Sequence, residues 1–573
     1  MLRIKNNLLL LIILLIALII RIVQIDKVPV ALFGDEIDIG YQAYSLLKTG
    51  RDYSGNLLPI SLESLADHKA PLYAYTLIPF IAISGINEFS VRIPSAIFGV
   101  INIFLFYLLI SYITKNKTLG LISAGLITIS PWHIHYSRWG FEGTLMILLF
   151  LLGTLSFFKS FEKNKFLFLS ALCLGLSIWA YHAAKVFLPS ILFVMLILYG
   201  KELIKFPRKY LITSLVIFMV IIAPVIKDSF FGEGSDRYGS LSLFSDPVME
   251  GEIGFSRNQD KYMYSHESSF FSTLKVPEKL FHNKFLFVLD KITTNYLHAY
   301  SPEFLFLHGD PNPRHSVQLN GEFYRIDFIF ILIGLVAFFA KPFNTKIKIF
   351  LLAWLLLAPL PAVITLDGGS HASRLLFMLP PLIFLSAVGV YYSLMYISGK
   401  KKPYFVVVVA IIYLLSFIFY SHNYWIHYPM DSQRWWQYGY KQSVQEALKL
   451  SKDYNKVIIS SANEPALIFY LGWSQYPPDK FFQQRFNKGD LEGFGSGLIL
   501  DKFFFPEIGF GRDLYSLGSV LPEDALYVAT FKEINLNLIT EPERVPGDIR
   551  LVETITYPSG EPALYLFDKK GKK

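Results

Sequence analysis

Cysteine is almost missing from this sequence, because Cys173 is the single one among 573 residues. An intrachain disulfide is therefore excluded, and any part of the chain outside the cytoplasm must be held together without one. Apolar residues are in excess instead: 53% of the chain is hydrophobic, 16% is aromatic, and the mean hydropathy is +0.41. These values exceed those of an ordinary soluble domain and predict an integral membrane protein.

Charged residues are scarce inside the long apolar runs, and the chain has no visible internal repeat. A transporter or lipid flippase is expected to carry polar groups at the bilayer midplane and often repeated halves, so both absences disfavour that class. The GxGxxG spacing of dinucleotide-binding loops is also missing. The glycine cluster at 493–497 has a different spacing and no clear strand before it, which disfavours a dinucleotide site.

The formal net charge of +8 does not indicate a nucleic-acid partner. The basic residues fall mainly in short loops between apolar runs, and this distribution is typical of a protein that crosses the membrane many times. The lipid bilayer is the partner that the charge pattern predicts.

Eleven apolar runs are predicted to cross the membrane, although several are shorter than the roughly 20 residues that a perpendicular helix needs. The first run follows Arg3 and Lys5, as in a secretory signal peptide, but no small-x-small cleavage site follows Arg21. We therefore interpret it as an uncleaved anchor. The runs cover residues 8–20, 91–113, 118–130, 142–158, 166–181, 185–199, 211–226, 326–340, 347–365, 374–396 and 404–421.

The apolar segment from Pro71 to Gly85 decides the orientation. If it does not cross, the N-terminus and the lysine-rich loops share the cytoplasmic side, with seventeen Lys or Arg against Glu162 and Glu202. The positive-inside rule requires this arrangement, so we predict that the segment lies along the outer interface. Loops 26–90 and 227–325 and the tail are then expected outside the cytoplasmic membrane.

The tail has no long apolar run, and helix-like and strand-like stretches alternate along it. We predict helices over 442–452 and 465–471, and strands over 456–460, 525–530, 551–556 and 563–567. The expected fold is a polytopic α-helical transmembrane domain, residues 1–421, followed by an extracytoplasmic α/β domain, residues 422–573.

Ionisable residues gather just outside the apolar runs, on the predicted outer face. Charges at a membrane boundary cost little in water and much in lipid, so such clusters usually mark a site. All twelve histidines fall on the same side. The clusters are Phe33-Gly34-Asp35-Glu36, His68-Lys69-Ala70-Pro71, Arg92, the stretch from Trp132 to Arg138, the stretch from Tyr181 to Lys185, the stretch from His308 to His315, and the stretch from Asp367 to Arg374.

The order of these motifs resembles the GT-C membrane glycosyltransferases related to protein O-mannosyltransferases and lipid A aminoarabinose transferases. The acidic pair, the Lys-x-Pro at 69–71, the VRIPS at 91–95, and Pro131 followed by Ser137-Arg138 are similar to the N-terminal half of that family. The GDPNPRH at 309–315, followed by Gly321, and the HASRLLFMLPPL at 371–382 are similar to the C-terminal half of bacterial members. The tail carries no motif of the family.

The resemblance implies transfer of a monosaccharide from a polyprenyl-phosphate carrier to a hydroxyl of an extracytoplasmic lipid, glycan or protein, with inversion at the anomeric carbon. It assigns the catalytic base to Asp35, with Glu36 as the second catalytic carboxylate. Cations at the interface would stabilise the leaving phosphate, and our candidates for this role are Lys69, Arg138, Arg314 and Arg374. Further site candidates are His68, His182, Asp310, His315 and His371.

Each main candidate also has a purely structural alternative. Asp35 can cap a helix, and Lys69 and Arg374 can extend to lipid headgroups. Arg138 can pack against aromatic rings, and Arg314 can brace a turn built on two prolines. The rings closest to Arg138 in the sequence are Trp132, Tyr136 and Trp139.

A divalent metal is the one cofactor that the sequence suggests. Carboxylate and imidazole ligands suit Mn or Zn, although His133 and His135 are not a ligand pair by spacing alone. The residues expected to gather for such a site are Asp35, Glu36, His68, His133, His135 and His182.

A glycan polymerase or ligase of the O-antigen type is the main competing function. Such a protein is also polytopic, with a large outer loop that carries arginine and histidine. Its chemistry is expected to centre on that long loop, whereas the acidic pair Asp35 and Glu36 lies in the first loop.

Overall fold

The structure is a computed structural model that describes residues 2–64, 68–231, 242–266 and 277–569. The stretches 232–241 and 267–276 of the long loop at 227–325, and 65–67 of the first loop, lie outside the described residues. The N-terminal three quarters of the chain are mostly helical. The helices before the tail are Leu2–Ile22, Gly34–Thr49, Leu72–Ser84, Glu88–Thr114, Lys117–Ile129, Pro131–Tyr136, Gly143–Ser160, Phe166–Ala180, Ala183–Leu203, Arg208–Phe231, Met249–His266, Glu278–Phe281, Lys284–Ala299, Arg325–Ala340, Thr345–Leu357, Leu360–Val363, Leu379–Tyr396 and Lys401–His422.

Seven helices in the described ranges are long and apolar enough to cross a membrane, and the protein is an integral membrane protein. They are Glu88–Thr114, Gly143–Ser160, Ala183–Leu203, Arg208–Ser229, Thr345–Val363, Leu376–Tyr396 and Lys401–Asp431. All eleven predicted runs fall on helices. The count of eleven crossings, with the N-terminus in the cytoplasm, stays a prediction.

The segment that decides the orientation forms a helix of 13 residues, Leu72–Ser84. It follows a short antiparallel hairpin of β1 (Leu62–Glu63) and β2 (His68–Lys69). The next helix, Glu88–Thr114, begins at Asn87, whose side chain accepts from the amide of Ser90 in a capping box. The predicted helix is therefore present, and its position along the interface remains a prediction.

Two glycines bring a pair of helices into close contact. A Cβ at Gly334, in helix Arg325–Ala340, would lie 1.9 Å from the carbonyl oxygen of Leu385. A Cβ at Gly389, in helix Leu379–Tyr396, would lie 1.9 Å from the carbonyl oxygen of Phe330. Small residues at a helix crossing let the backbones approach, as is common in membranes. The crossing draws together the loops at 302–323 and 366–375, which precede these helices.

The substitution Gly389→Ala should therefore lower stability, because its methyl group overlaps a backbone oxygen that cannot move freely. Overpacking of this kind typically costs about 1–3 kcal/mol. The control is Gly125→Ala, because a Cβ there meets nothing within 4 Å among the described residues. Thermal unfolding in detergent should show a lower Tm for Gly389→Ala and no loss for Gly125→Ala. Equal Tm values for Gly389→Ala and Gly125→Ala would contradict the close crossing of the two helices.

The described part of the tail contains one seven-stranded sheet. Its strands are β3 (Lys456–Ile459), β4 (Lys488–Leu491), β5 (Gly495–Leu500), β6 (Phe503–Pro506), β7 (Ala525–Thr530), β8 (Ile549–Thr556) and β9 (Pro562–Lys569). Their order in the sheet is β4-β5-β6-β3-β7-β9-β8. Strand β3 is parallel to β6 and β7, and the other pairs are antiparallel. The helices are Tyr428–Asp431, Tyr440–Leu450, Ala466–Trp473, Pro478–Gln484, Leu514–Val520 and Phe531–Ile534.

The predicted α/β character of the tail is confirmed, and the four predicted strands correspond to β3, β7, β8 and β9. The hairpin of β4 and β5 and the neighbouring β6 were not predicted. The glycine cluster at 493–497 spans the turn of that hairpin and the start of β5, where Gly493 and Gly495 have φ of +78° and +70°. Glycine adopts this conformation without strain, so the cluster has a structural explanation.

The tail packs directly on the helix Gly34–Thr49, which we call the acidic helix because it begins with Asp35 and Glu36. A Cβ at Gly472 would lie 2.3 Å from Cγ1 of Ile37, and the hydroxyl of Tyr41 donates to the carbonyl oxygen of Tyr476 at 2.9 Å. The amide of Gly34 donates to Oε1 of Gln437 at 2.6 Å. The tail therefore holds the helix on which the predicted catalytic pair lies.

Candidate functional site

The acidic helix directs its two predicted catalytic carboxylates to different surroundings. Neighbours on an α-helix point about 100° apart. The Asp35 side chain is 67% exposed, whereas the Glu36 side chain is completely buried. The acidic pair is therefore divided between water and the protein core.

Glu36 forms a two-fold ion pair with Arg92. Its Oε1 and Oε2 accept from Nε and Nη2 of Arg92, each at 2.9 Å, and Oε1 also accepts from the amide of Gly140 at 2.7 Å. Both oxygens are thus occupied, and no surface of the carboxylate faces a substrate. The sequence-based role of Glu36 as a catalytic carboxylate is corrected here, because the residue lies in the core and braces the start of the acidic helix.

Asp35 shares a lysine with Asp38, one turn further along the same helix. Nζ of Lys69 lies 2.9 Å from Oδ1 of Asp35 and 2.8 Å from Oδ2 of Asp38, and the Tyr53 hydroxyl donates to Oδ1 of Asp38 at 2.9 Å. Burial by itself lowers the pKa of Lys69, but the charges of Asp35 and Asp38 raise it above its ordinary value. Lys69 is therefore a charged partner of two carboxylates rather than an open phosphate site.

Arg138 does not reach any site on the surface. Its guanidinium donates to the carbonyl oxygens of Ile20, at 2.6 Å, and Val28, at 3.1 Å, and the whole residue is buried. It lies over the rings of Tyr424 and Trp425, 5.4 Å and 5.0 Å from their centroids. The prediction that Arg138 binds the donor phosphate is corrected for this reason. The rings that contact it come from the end of helix Lys401–His422 and not from its sequence neighbours.

An apolar cavity of about 920 Å³ opens between the helices Phe166–Ala180, Ala183–Leu203 and Arg208–Phe231. Its polar lining includes His182, Lys185, Ser229, Thr365 and Arg374, which lie together with Tyr181. Nη1 of Arg374 donates to Oγ1 of Thr365 at 2.8 Å and pairs with Asp367. Of the four cations predicted from the sequence, Arg374 lines this cavity.

The polar lining of the cavity connects to the acidic helix on one side. Nε2 of His182 lies 3.1 Å from the carbonyl oxygen of His68. His68 directly precedes Lys69 in β2, and Lys69 contacts Asp35. The predicted residues His68 and His182 thus join the cavity to the exposed carboxylate.

Tyr181, another lining residue, leads to a second polar cluster. The hydroxyl of Tyr181 lies 3.1 Å from Oγ of Ser373, which in turn lies 2.9 Å from Nδ1 of His371. The ring of His371 lies 4.5 Å from that of His315, and Nδ1 of His315 lies 3.0 Å from Oδ2 of Asp310. The structure therefore brings together three predicted residues from two separate loops.

The electrostatics of this second cluster follow from its burial. Burial raises the pKa of the Asp310 carboxyl, but the hydrogen bond and charge of His315 outweigh it and hold the pKa below its ordinary value. Burial, together with the charge of His315, lowers the pKa of His371 well below its usual range. At neutral pH the cluster thus combines an ionised carboxylate with a neutral imidazole at His371.

Arg314 lies between the second cluster and the start of the acidic helix. Its guanidinium carbon is 5.0 Å from the centroid of the Phe33 ring, two residues before Asp35. Its Nε is buried and has no hydrogen-bond partner among the residues that the structure describes. A buried donor without a partner is costly, so it is a candidate contact for an anionic or polar substrate.

The six residues expected to share a metal do not gather at one point. Glu36 binds Arg92, His133 Nδ1 lies 2.6 Å from the guanidinium of Arg21, and His135 Nε2 lies 2.6 Å from the carbonyl oxygen of Arg314. That ligand set is corrected, because tertiary packing gives these side chains separate partners.

Comparison with known proteins identifies the fold. Residues 68–227 match the sequence profile of the family described as dolichyl-phosphate-mannose-protein mannosyltransferase. The crystal structure of ArnT from Cupriavidus metallidurans bound to undecaprenyl phosphate is 12% identical, is matched over 97% of both chains, and gives a TM-score of 0.50. The chain has the GT-C glycosyltransferase fold.

A second GT-C structure, the apo oligosaccharyltransferase of Archaeoglobus fulgidus, is 13% identical and gives a TM-score of 0.44. The match covers 82% of this chain and 64% of the archaeal one, so the chain spans less than two thirds of that enzyme. No curated protein sequence matches the chain. The resemblance to GT-C membrane glycosyltransferases, inferred from ordered motifs, is confirmed.

Sequence reasoning did not single out Glu322, which is buried beside Asp310. Glu322 follows Gly321 in the second motif block, and its Oε1 lies 3.4 Å from the amide of Asp310. Burial, with the charge of Asp310, raises the pKa of Glu322 well above its ordinary value. The sequence did not indicate that Glu322 is buried, because an acidic residue in a loop is usually exposed and its burial depends on the fold of the whole loop.

Proposed function

We propose that the protein is an inverting glycosyltransferase that moves a monosaccharide from a polyprenyl-phosphate carrier to a hydroxyl of an extracytoplasmic lipid, glycan or protein. The observation that carries this proposal is the apolar cavity with cationic residues in its lining, which His182, His68 and Lys69 connect to the exposed carboxylate of Asp35. Its volume of about 920 Å³ lies within the range of small-molecule pockets. An isoprenoid chain suits the apolar walls, and a phosphate suits Lys185 and Arg374. ArnT, which shares the fold, was solved with undecaprenyl phosphate.

Asp35 acts as the general base in this proposal. As the acceptor oxygen attacks the anomeric carbon from the face opposite the phosphate, its proton passes to the Asp35 carboxylate. The new bond joins the acceptor oxygen to the anomeric carbon, and the bond from that carbon to the phosphate oxygen breaks. Lys69 orients the Asp35 carboxylate before the attack, since its ammonium lies 2.9 Å from Oδ1.

The leaving phosphate gains negative charge as its bond to the sugar breaks. Arg374 and Lys185, in the cavity lining, are placed to stabilise that charge as preorganised donors, an effect worth several kcal/mol in comparable sites. Arg314 is a further candidate because of its unpartnered Nε near Phe33. Glu36 and Arg138 contribute by holding the acidic helix and the first span in place.

The double variant Lys185→Met/Arg374→Gln should bind undecaprenyl phosphate at least about ten-fold more weakly, because each charge-assisted hydrogen bond contributes roughly 1.5–3 kcal/mol. Native mass spectrometry of the detergent-solubilised protein measures the bound fraction. The control Lys201→Met removes an exposed lysine from the far end of the same helix and should bind as the wild type does. Undecaprenol, which lacks the phosphate, should bind with the same affinity to the wild type and to each variant. An unchanged affinity for undecaprenyl phosphate would place the carrier elsewhere.

Transfer itself is tested in proteoliposomes with a panel of labelled undecaprenyl-phosphate monosaccharides and an extract of cell-envelope lipids, glycans and proteins as acceptors. We expect one donor to release undecaprenyl phosphate and to label one acceptor class. Movement of the labelled lipid across the bilayer without any transfer would support a transporter instead.

A further inference from the structure

We propose that Asp310, His315 and His371 form a binding site for a divalent transition metal, with zinc as the best fit. One carboxylate oxygen and one nitrogen from each imidazole all lie within 4.8 Å of one another. Among the described residues, this is the group of three metal-ligating side chains whose ligand atoms lie within that distance of one another. The inference stands apart from the proposed sugar transfer, since metal binding does not require that the protein transfers anything.

The distances are close to those of a shared ion. Ligands about 2.0–2.1 Å from one zinc ion lie roughly 3.0–3.4 Å from each other. Oδ2 of Asp310 and Nδ1 of His315 are already 3.0 Å apart, and all three candidate ligand atoms lie within 4.8 Å of one another. A shift of about 1–2 Å by the His371 nitrogen would complete three-fold coordination.

The surroundings hold the proposed ligands in place, as outer-shell hydrogen bonds do in metal sites. Oδ2 of Asp310 accepts from the amide of Ala372 at 2.9 Å, and Oδ1 accepts from the amide of Asn312 at 2.8 Å. Nδ1 of His371 lies 2.9 Å from Oγ of Ser373. The bond from Ala372 to Asp310 ties the loop at 302–323 to the loop at 366–375, and the other two bonds each lie within one loop.

The ligand set selects the kind of ion. Two imidazoles and one carboxylate suit zinc, whereas magnesium and calcium prefer oxygen ligands throughout. Three protein ligands leave a fourth position open to water or to an anion. Because Arg374 follows His371 by three residues and lines the apolar cavity, a bound ion would also fix the cation at that cavity.

Metal analysis of the purified full-length protein, prepared without a histidine tag, tests this inference. After dialysis against trace zinc, we expect about one zinc per wild-type protein and less than about one tenth in Asp310→Asn and in His371→Asn. The matched control is His422→Ala, which disrupts the other close histidine pair, with Nε2 of His422 3.1 Å from Nε2 of His427, and it should retain full zinc. Zinc absent from the wild type, or unchanged in both ligand variants, would overturn the proposal.

X-ray absorption at the zinc edge covers the case in which a ligand variant fails to fold, because it uses the wild type alone. We expect two imidazoles and oxygen in the first coordination shell. A shell of oxygen only, or one that contains sulfur, would rule out the assigned ligands. Neither measurement depends on activity. The metal site can therefore be confirmed or rejected even if the transferase assay fails.

Discussion

Replacement of Asp35 by asparagine should reduce sugar transfer by about 10²–10⁴-fold, the loss expected when a general base is removed. Asparagine has nearly the same shape but cannot accept the proton of the attacking hydroxyl. Because the Asp35 side chain is 67% exposed, its removal should leave the fold intact. The rate is measured as release of undecaprenyl phosphate from the donor found active in proteoliposomes. The Tm in detergent verifies folding.

The control for Asp35→Asn is Asp26→Asn, which removes another exposed carboxylate of the first loop. It should retain the wild-type rate. An Asp35→Asn protein with more than about one tenth of the wild-type rate would contradict the assigned base. It would favour chemistry centred on the long outer loop, as in O-antigen-type polymerases and ligases.

Replacement of Glu36 by alanine should lower the free energy of unfolding by about 3–5 kcal/mol, because it leaves the Arg92 guanidinium buried without its counter-charge. Both side chains are completely buried, and the two hydrogen bonds between them are each 2.9 Å long. Thermal and denaturant unfolding in detergent measure the loss. Activity should fall together with the folded fraction, because Glu36 acts by supporting the acidic helix.

The control for Glu36→Ala breaks an exposed ion pair instead. Glu446→Ala removes the partner of Lys449, whose side chain is 73% exposed, and should cost less than about 1 kcal/mol. The double variant Glu36→Met/Arg92→Met should recover part of the loss. Recovery should be incomplete, because Arg92 also donates to the carbonyl oxygens of Ile25, Pro29 and Ala31. A stable but inactive Glu36→Ala protein would instead make Glu36 a direct participant in the chemistry.

The positions of the helices and polar clusters along the chain were predictable from the sequence, but the burial of individual side chains was not. Apolar length alone placed eleven runs on helices, and charge placement indicated which ends of those runs carry the polar clusters. The sequence could not separate Asp35 from Glu36, because they are adjacent and chemically alike. Their different surroundings arise from the 100° rotation between neighbours on a helix and from Arg92, which lies 56 residues further along the chain.

The role of Arg138 could not be decided from the sequence either. An arginine beside aromatics at the end of a span fits both a phosphate ligand and a packed core residue. Its contacts with Ile20, Val28, Tyr424 and Trp425 are all distant in sequence. Only the assembled bundle decides between the two roles.

The proposed metal ligands illustrate what local motifs can and cannot indicate. Asp310, His315 and His371 were each chosen from motifs, but in two loops more than fifty residues apart. Their meeting depends on the close crossing at Gly334 and Gly389, which no local pattern reveals. In the tail, β4 to β6 were missed because their short strands contain glycine, proline and charged residues that disfavour strand assignment.

A cryo-EM structure of the protein in nanodiscs with undecaprenyl phosphate tests the central proposal most directly. The account predicts the isoprenoid chain in the apolar cavity, with the phosphate within hydrogen-bonding distance of Lys185 and Arg374 and on the side that faces Asp35. Density for the carrier between other helices, with its phosphate away from both cations, would contradict it.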